Sequence, residues 1–226
     1  MTTTFQPKMM MKTALALAAF ATLAACTTKD ERSDIVITRI IPAKLSGSGA
    51  SATCLVQPTD LENSLVTVDL NLTDSLVRGV VVDNRLSSNA NGAQNRLNTN
   101  DFEVQNERVR LTFPDPAYPG TTIERLVPIS GVFPVSSATA IGATLFTPEM
   151  GAALRAIALP ATGRGTIRLA IRFEGNLLDG SGVQTTEREF VVQICKGCLD
   201  TSACPTGAAR NRSCTPGTSD DTNTCP

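Results

Sequence analysis

Strict alternation of apolar and polar residues is the strongest structural signal in this 226-residue chain. Within residues 166–174, every second position from Ile167 to Phe173 is apolar, and residues 64–73 repeat the pattern from Val66 to Leu72. A period of two places successive side chains on opposite faces of a strand. Both segments are therefore predicted to be half-buried β-strands with one face toward a core.

Further segments carry the same signal, separated by glycine, proline and asparagine turns. We predict a hairpin from residues 166–174 to residues 183–195, a second hairpin within residues 101–113 that turns at Gln105–Glu107, and strands near 35–43, 53–57, 78–83 and 124–133. About eight short strands with turn signals between them favour an antiparallel, immunoglobulin-like β-sandwich. The asparagine-rich residues 86–100 are predicted to form a long exposed loop.

One helix is predicted against this background. Thr147 is a favourable N-cap, Pro148 suits the first helical position and Glu149 adds an acidic side chain to the first turn. These residues precede Met150–Ile157, so we expect a short helix that crosses one end of the sandwich.

The first residues have the layout of an export leader. Lys8 and Lys12 precede an apolar run over residues 13–25, and Cys26 follows the run. The run is shorter than the roughly 20 residues that span a bilayer as a helix.

The sequence Leu23-Ala24-Ala25-Cys26 resembles the lipobox of bacterial lipoproteins. This resemblance implies that Cys26 carries diacylglycerol on its sulfur, that the leader is removed before it, and that the new amino group is acylated, for example with palmitate. Thr27 rather than aspartate follows the cysteine, which implies the outer membrane; whether the domain faces the periplasm or the surface stays open. The expected organisation is a leader (1–25), a tether (26–33), a sandwich domain (34–195) and a cysteine-rich tail (196–226).

The remaining six cysteines are predicted to form three disulfides, because their number is even and the chain is exported. The tail has almost nothing apolar to bury, so cross-links would replace a core there. We expect the pairs Cys54–Cys195, Cys198–Cys204 and Cys214–Cys225, with Cys195 and Cys198 interchangeable. A zinc site and a redox pair are the alternatives, but zinc usually needs paired cysteine clusters or histidine, and a reactive pair of this spacing usually begins a helix.

Composition restricts the chemistry further. The chain has no histidine, no tryptophan and a single tyrosine, which excludes imidazole bases and imidazole metal ligands. Without the two leader lysines, 18 basic residues face 21 acidic ones, a net charge of −3. No nucleic-acid partner is therefore expected.

A second resemblance rests on the lipobox, the strand-ending Cys-Lys-Gly-Cys-Leu at residues 195–199 and the tail CTPGTSDDTNTC. Together they resemble uncharacterised envelope lipoproteins of the myxobacterial type, a group that implies no activity. We expect a lipid-anchored, non-enzymatic structural or protein-interaction module without cofactor or metal, whose sheet edge binds an envelope or surface protein. The alternatives are a hydrolase or glycan-active enzyme that uses Glu149, Asp179 or Glu187, and a thiol oxidoreductase.

Overall fold

A computed structural model describes residues 30–32, 34–46, 53–62, 65–88, 99–113, 122–159 and 163–199, together with Cys214 and Thr218. In this part of the chain, strands dominate and a single short helix is present, which confirms the predicted all-β class. The elements are β1 (Asp30–Arg32), β2 (Ile35–Ile41), β3 (Lys44–Ser46), β4 (Thr53–Leu55), β5 (Leu65–Asp69), β6 (Leu76–Asn84), β7 (Phe102–Thr112), β8 (Thr122–Phe133), β9 (Ser137–Phe146), α1 (Pro148–Ala156), β10 (Arg164–Leu177), β11 (Gly182–Thr185) and β12 (Arg188–Cys195).

The larger sheet has seven strands and is built around β10. On one side β10 pairs with β7, and β7 pairs with β8, all antiparallel. On its other side β10 pairs with β12 along its first half and with β11 near its end. Beyond these, β5 lies parallel to β12 and β1 lies parallel to β11.

The smaller sheet is antiparallel, in the order β2-β6-β9. The hairpin β3–β4 forms a separate two-stranded unit. Gly79 on β6 faces Val56, which follows β4: a Cβ atom at Gly79 would lie 2.5 Å from the Val56 side chain. The glycine therefore allows the segment after the hairpin to lie against β6.

The two sheets share one hydrophobic core, as a sandwich requires. The ring of Phe133 lies 5.8 Å from that of Phe102 and 5.9 Å from that of Phe173. Fully buried side chains come from both sheets, among them Ile35, Val80, Val82, Leu145, Phe146, Val109, Leu111, Ile167, Leu169, Ile171 and Val192. The apolar positions of the predicted strand 166–174 all point into this core.

Three local predictions were wrong. Residues 102–112 form one continuous strand rather than a hairpin, because both halves pair with β8 and β10. Gln105, at the expected turn, is an extra residue opposite the Glu174–Gly175 step of β10 and forms a bulge. The strand predicted over 64–73 ends at Asp69. The sandwich is also not purely antiparallel, since two of its strand pairs are parallel; the immunoglobulin-like detail remains a prediction.

The predicted helix is confirmed as α1. Its N-cap Thr147 accepts a hydrogen bond from the Met150 amide at 3.4 Å, and Met150 and Leu154 are buried. A Cβ atom at Gly151 would lie 1.9 Å from the Asp74 carbonyl oxygen, so glycine permits the close contact between α1 and the β5–β6 loop. No helix in the described ranges has the length and apolar character needed to cross a membrane.

Glu107 on β7 is a charged residue type inside the core. One of its carboxyl oxygens accepts a hydrogen bond from the Thr144 amide of β9 at 3.0 Å, and the other has no hydrogen-bond partner. Burial raises the pKa of Glu107 to about 8, although the Thr144 amide lowers it. The side chain is therefore predominantly protonated at neutral pH.

Glu107 makes stability depend on pH. Its pKa is 4.5 when exposed and about 8 when folded, so between these values the unfolded chain binds fewer protons and stability falls as pH rises. Because glutamine does not ionise, we expect Glu107→Gln to gain about 3 kcal/mol in free energy of unfolding relative to the wild type as the pH rises from 5 to 8, and to flatten the decline over this range. Chemical denaturation at several pH values measures both. Glu103→Gln, at an exposed position of the same strand, is the control; equal pH slopes for the two variants would contradict the assignment.

Candidate functional site

The cysteines predicted to be linked are paired differently in the structure. Cys54 is bonded to Cys214, with Cα atoms 5.4 Å apart, and Cys195 is bonded to Cys198, with Cα atoms 5.8 Å apart. The expected pairs Cys54–Cys195, Cys198–Cys204 and Cys214–Cys225 were therefore wrong. Cys26, Cys204 and Cys225 lie outside the described residues.

The short pairing follows from a tight turn after β12. Gly197 has a φ of +77°, a conformation that glycine adopts without strain. The turn folds Cys198 back onto Cys195, so neither sulfur is left for Cys54. We call this pair the turn disulfide, and Cys54–Cys214 the tail disulfide.

A buried carboxylate organises this turn. Asp69 lies opposite Cys195 in the parallel register of β5 and β12, and its side chain has no solvent exposure. One carboxylate oxygen accepts hydrogen bonds from the Gly197 amide at 2.8 Å and the Asn71 amide at 3.0 Å; the other accepts from the Leu199 amide at 3.0 Å. A single side chain thus satisfies backbone donors from two separate loops.

These hydrogen bonds keep Asp69 ionised. Burial acts to raise its pKa, but the backbone amides of Gly197, Leu199, Asn71 and Cys198 together lower it below the usual value. A fully buried carboxylate is tolerated here because amide donors replace its hydration.

Lys196 connects the same turn to the helix. Its ammonium group donates hydrogen bonds to the Arg155 carbonyl at 2.6 Å and the Ile157 carbonyl at 2.9 Å. Both carbonyls lie at the C-terminus of α1, where unpaired acceptors and the helix dipole favour a cation. The turn, β5 and α1 therefore form one connected end of the sandwich.

Asp69, Cys195 and Cys198 are the described residues whose side chains come close enough to suggest a metal site, with potential ligand atoms within 4.8 Å of one another. Their hydrogen bonding opposes that use. Metal binding needs free thiolates, but the two sulfurs are bonded to each other, and both oxygens of Asp69 already accept hydrogen bonds from backbone amides. The arrangement fits a structural cross-link better than a metal or redox centre.

The three carboxylates named as catalytic candidates lie in three different parts of the fold. Glu149 lies in the first turn of α1, where a hydrogen bond with Thr147 lowers its pKa. Asp179 accepts a hydrogen bond from the Ser181 amide at 2.8 Å in the turn between β10 and β11. Glu187 forms an ion pair with Arg110 of β7. Each is engaged with a different structural partner.

Sequence reasoning missed Asp69 and Lys196. The alternation of residues 64–73 assigned Asp69 to the solvated face, whereas it is buried, and Leu72 to the core face, whereas it is 41% exposed. A local signal was present in the sequence. An aspartate carboxylate often accepts a hydrogen bond from the backbone amide two residues later, as Asp69 does from Asn71, and the resulting turn ends the strand. No protein-family model, curated protein or solved structure matches the chain.

Replacing Asp69 tests its structural role. Asp69→Asn preserves the shape but removes the charge and turns a donor group toward amide donors, so we expect a loss of about 3 kcal/mol in the free energy of unfolding at pH 7. Because folding lowers this pKa, the wild-type contribution is fully present above about pH 4 and is lost as the pH falls through the folded-state value. Urea denaturation at pH 7 and pH 3 measures the difference.

The matched control is Asp83→Asn, which removes a partly exposed ion pair with Arg85 and should change stability by less than about 1 kcal/mol. Similar effects of the two substitutions would refute the assignment of Asp69 as the organising group of the turn.

Proposed function

We propose that the chain is a lipoprotein anchored in the outer membrane through Cys26, and that its β-sandwich is a non-enzymatic interaction module. In this proposal the exposed edge of β8 pairs with an extended segment of another envelope protein. The anchor rests on the lipobox resemblance, and two acyl chains or more would hold it stably in a bilayer.

The disulfides support an exported protein. The tail disulfide joins residues 160 positions apart, and such cross-links persist in oxidising compartments and are rare in reducing ones. This agrees with the export leader predicted from residues 1–25.

The observation that carries the interaction role is the edge of β8. This strand has 12 residues and, among the described strands, pairs with β7 alone. The described edges of two other strands are partly occupied: Glu107 caps the Thr144 amide of β9, and Thr218 forms a bridge with Val68 of β5. Unpaired backbone groups along an edge strand are the usual site for pairing with another chain.

Pro128 indicates which backbone groups of β8 face outward. Proline lacks an amide hydrogen, so a sheet tolerates it where its nitrogen points away from the neighbouring strand. Because backbone direction alternates, the amides of Leu126 and Glu124 share the outward direction. Residues 122–127 therefore offer a short pairing edge that ends at the proline.

The side chains along this edge suggest the chemistry of the partner. Leu126 is 50% exposed on β8, and its neighbour Glu124 is ion-paired with Arg108 of β7. An extended segment that places an apolar side chain on Leu126 between polar residues would fit this surface.

The proposal is tested by site-specific crosslinking in the native envelope. A photoreactive amino acid at Glu124 should capture a defined envelope protein, whereas the same group at exposed Leu178, in the turn after β10, should not. Leu126→Pro removes an outward amide and should reduce the Glu124 adduct by about tenfold or more, because backbone pairing is blocked.

Leu126→Ala is the matched control, since it removes the side chain but keeps the amide, and it should retain more of the adduct than the proline variant. Both variants should have nearly wild-type thermal stability, because the substituted amide makes no bond to β7. Two results would count against pairing at this edge: an adduct yield that Leu126→Pro leaves unchanged, or no adduct at all from position 124.

A further inference from the structure

The two disulfides differ in their access to solvent. Cys54, on the β3–β4 hairpin, is exposed and its partner Cys214 is half-buried. In the turn disulfide, Cys195 has no exposure and Cys198 is half-buried. Thiol–disulfide exchange begins when a thiolate reaches a sulfur atom, so the tail disulfide offers the more accessible target.

The electrostatic surroundings also make the turn disulfide less reactive than the tail disulfide. A carboxylate oxygen of Asp69 lies within 4.8 Å of both sulfurs of the turn disulfide. Its negative charge repels an incoming thiolate and opposes the negative charge that develops on the leaving sulfur, and both effects slow exchange. The backbone amides of the turn keep Asp69 charged at neutral pH.

The tail disulfide lies close in sequence to a backbone contact with β5. Four residues after Cys214, Thr218 forms an antiparallel bridge with Val68 of β5 and is itself 3% exposed. The other side of β5 pairs with β12, so Thr218 covers part of the outer edge of the larger sheet. The bridge and the other contacts of Thr218 are favoured by the high local concentration that the nearby cross-link provides.

We propose that Cys54 is a thiol-exchange site, and that reduction of the tail disulfide by a dithiol releases Thr218 from the edge of β5 while the turn disulfide stays intact. This inference is independent of partner binding at β8.

The exchange proceeds in two displacements. A thiolate of the dithiol attacks the Cys54 sulfur, the bond between Cys54 and Cys214 breaks, and Cys214 leaves as a thiolate that takes up a proton. The second thiol of the reductant then attacks the mixed disulfide and releases Cys54 as a thiol. The protein gains two electrons and two protons, and the dithiol becomes a disulfide.

Timed reduction of the oxidised full-length protein tests which of the two disulfides is reduced first. Dithiothreitol is added under native conditions, free thiols are trapped with iodoacetamide, and alkylation at Cys54, Cys214, Cys195 and Cys198 is quantified by peptide mass spectrometry. We expect Cys54 and Cys214 to be alkylated at least about tenfold faster than the turn pair. Equal rates, or faster reaction of Cys195 and Cys198, would overturn the proposal.

Hydrogen exchange on the partly reduced protein tests the release. Peptides that cover β5 should gain more exchange after reduction than peptides that cover β10, whose protection falls only with the global stability. An equal gain in both strands would show a global loss of stability without local release of Thr218, and unchanged exchange in β5 would also refute the release.

A pair of variants tests whether the charge of Asp69 slows reduction of the turn disulfide. Asp69→Asn should accelerate reduction of the turn disulfide relative to the tail disulfide, and Asp83→Asn should leave the ratio of the two rates at its wild-type value. If Asp69→Asn does not fold, thiols of opposite charge replace it: on the wild-type protein, cationic cysteamine should favour reduction of the turn pair over the tail pair more than anionic thioglycolate does. Rates that are insensitive to both changes would remove the role of Asp69.

Discussion

The buried carboxylate of Asp69 holds together the end of the sandwich where β5, the turn after β12 and the end of α1 meet. Its oxygens accept amide hydrogens from the β5–β6 loop and from the turn after β12. Hydrogen bonds to a charged group contribute about 1.5–3 kcal/mol each, and three backbone amides would lose this acceptor if the carboxylate were removed. This turn also positions the Cys195–Cys198 bond and allows Lys196 to donate hydrogen bonds to the C-terminal carbonyls of α1. One ionised side chain therefore fixes the relative position of two strands, a disulfide and a helix.

The two disulfides stabilise the fold to different extents. In the chain-entropy description, a cross-link between residues 160 positions apart stabilises by about 5 kcal/mol, and one across three positions by about 2 kcal/mol. The tail disulfide thus contributes more to global stability although it is the more exposed, and the turn disulfide contributes mainly to local geometry. This division agrees with a tail that has little apolar surface to bury and depends on covalent attachment.

The sequence predicted the parts of the fold that depend on local pattern. The alternation over residues 166–174 lies within β10, and the capping residues before Met150 lie at the start of α1. The hairpin expected at Gln105–Glu107 was wrong because a bulge keeps both halves in one strand, with Phe102 and Val109 in the same core. The cysteine pairing was wrong because it depends on the path of the tail and on the turn at Gly197, neither of which follows from spacing. Asp69 was missed because a polar residue in an alternating strand is normally solvated, and its burial becomes favourable only when distant amides converge on it.

The account of a lipid-anchored, disulfide-bonded envelope module is tested most directly by the intact mass of the protein extracted from native membranes with detergent, before and after alkylation without reductant. It predicts the mass of residues 26–226 plus acyl chains, less one hydrogen for each of the six cysteines other than Cys26, with no alkyl group added. A mass without acyl chains would remove the membrane anchor. Alkylation at Cys195 and Cys198 would show free thiols next to Asp69 and contradict the structural role assigned to that turn.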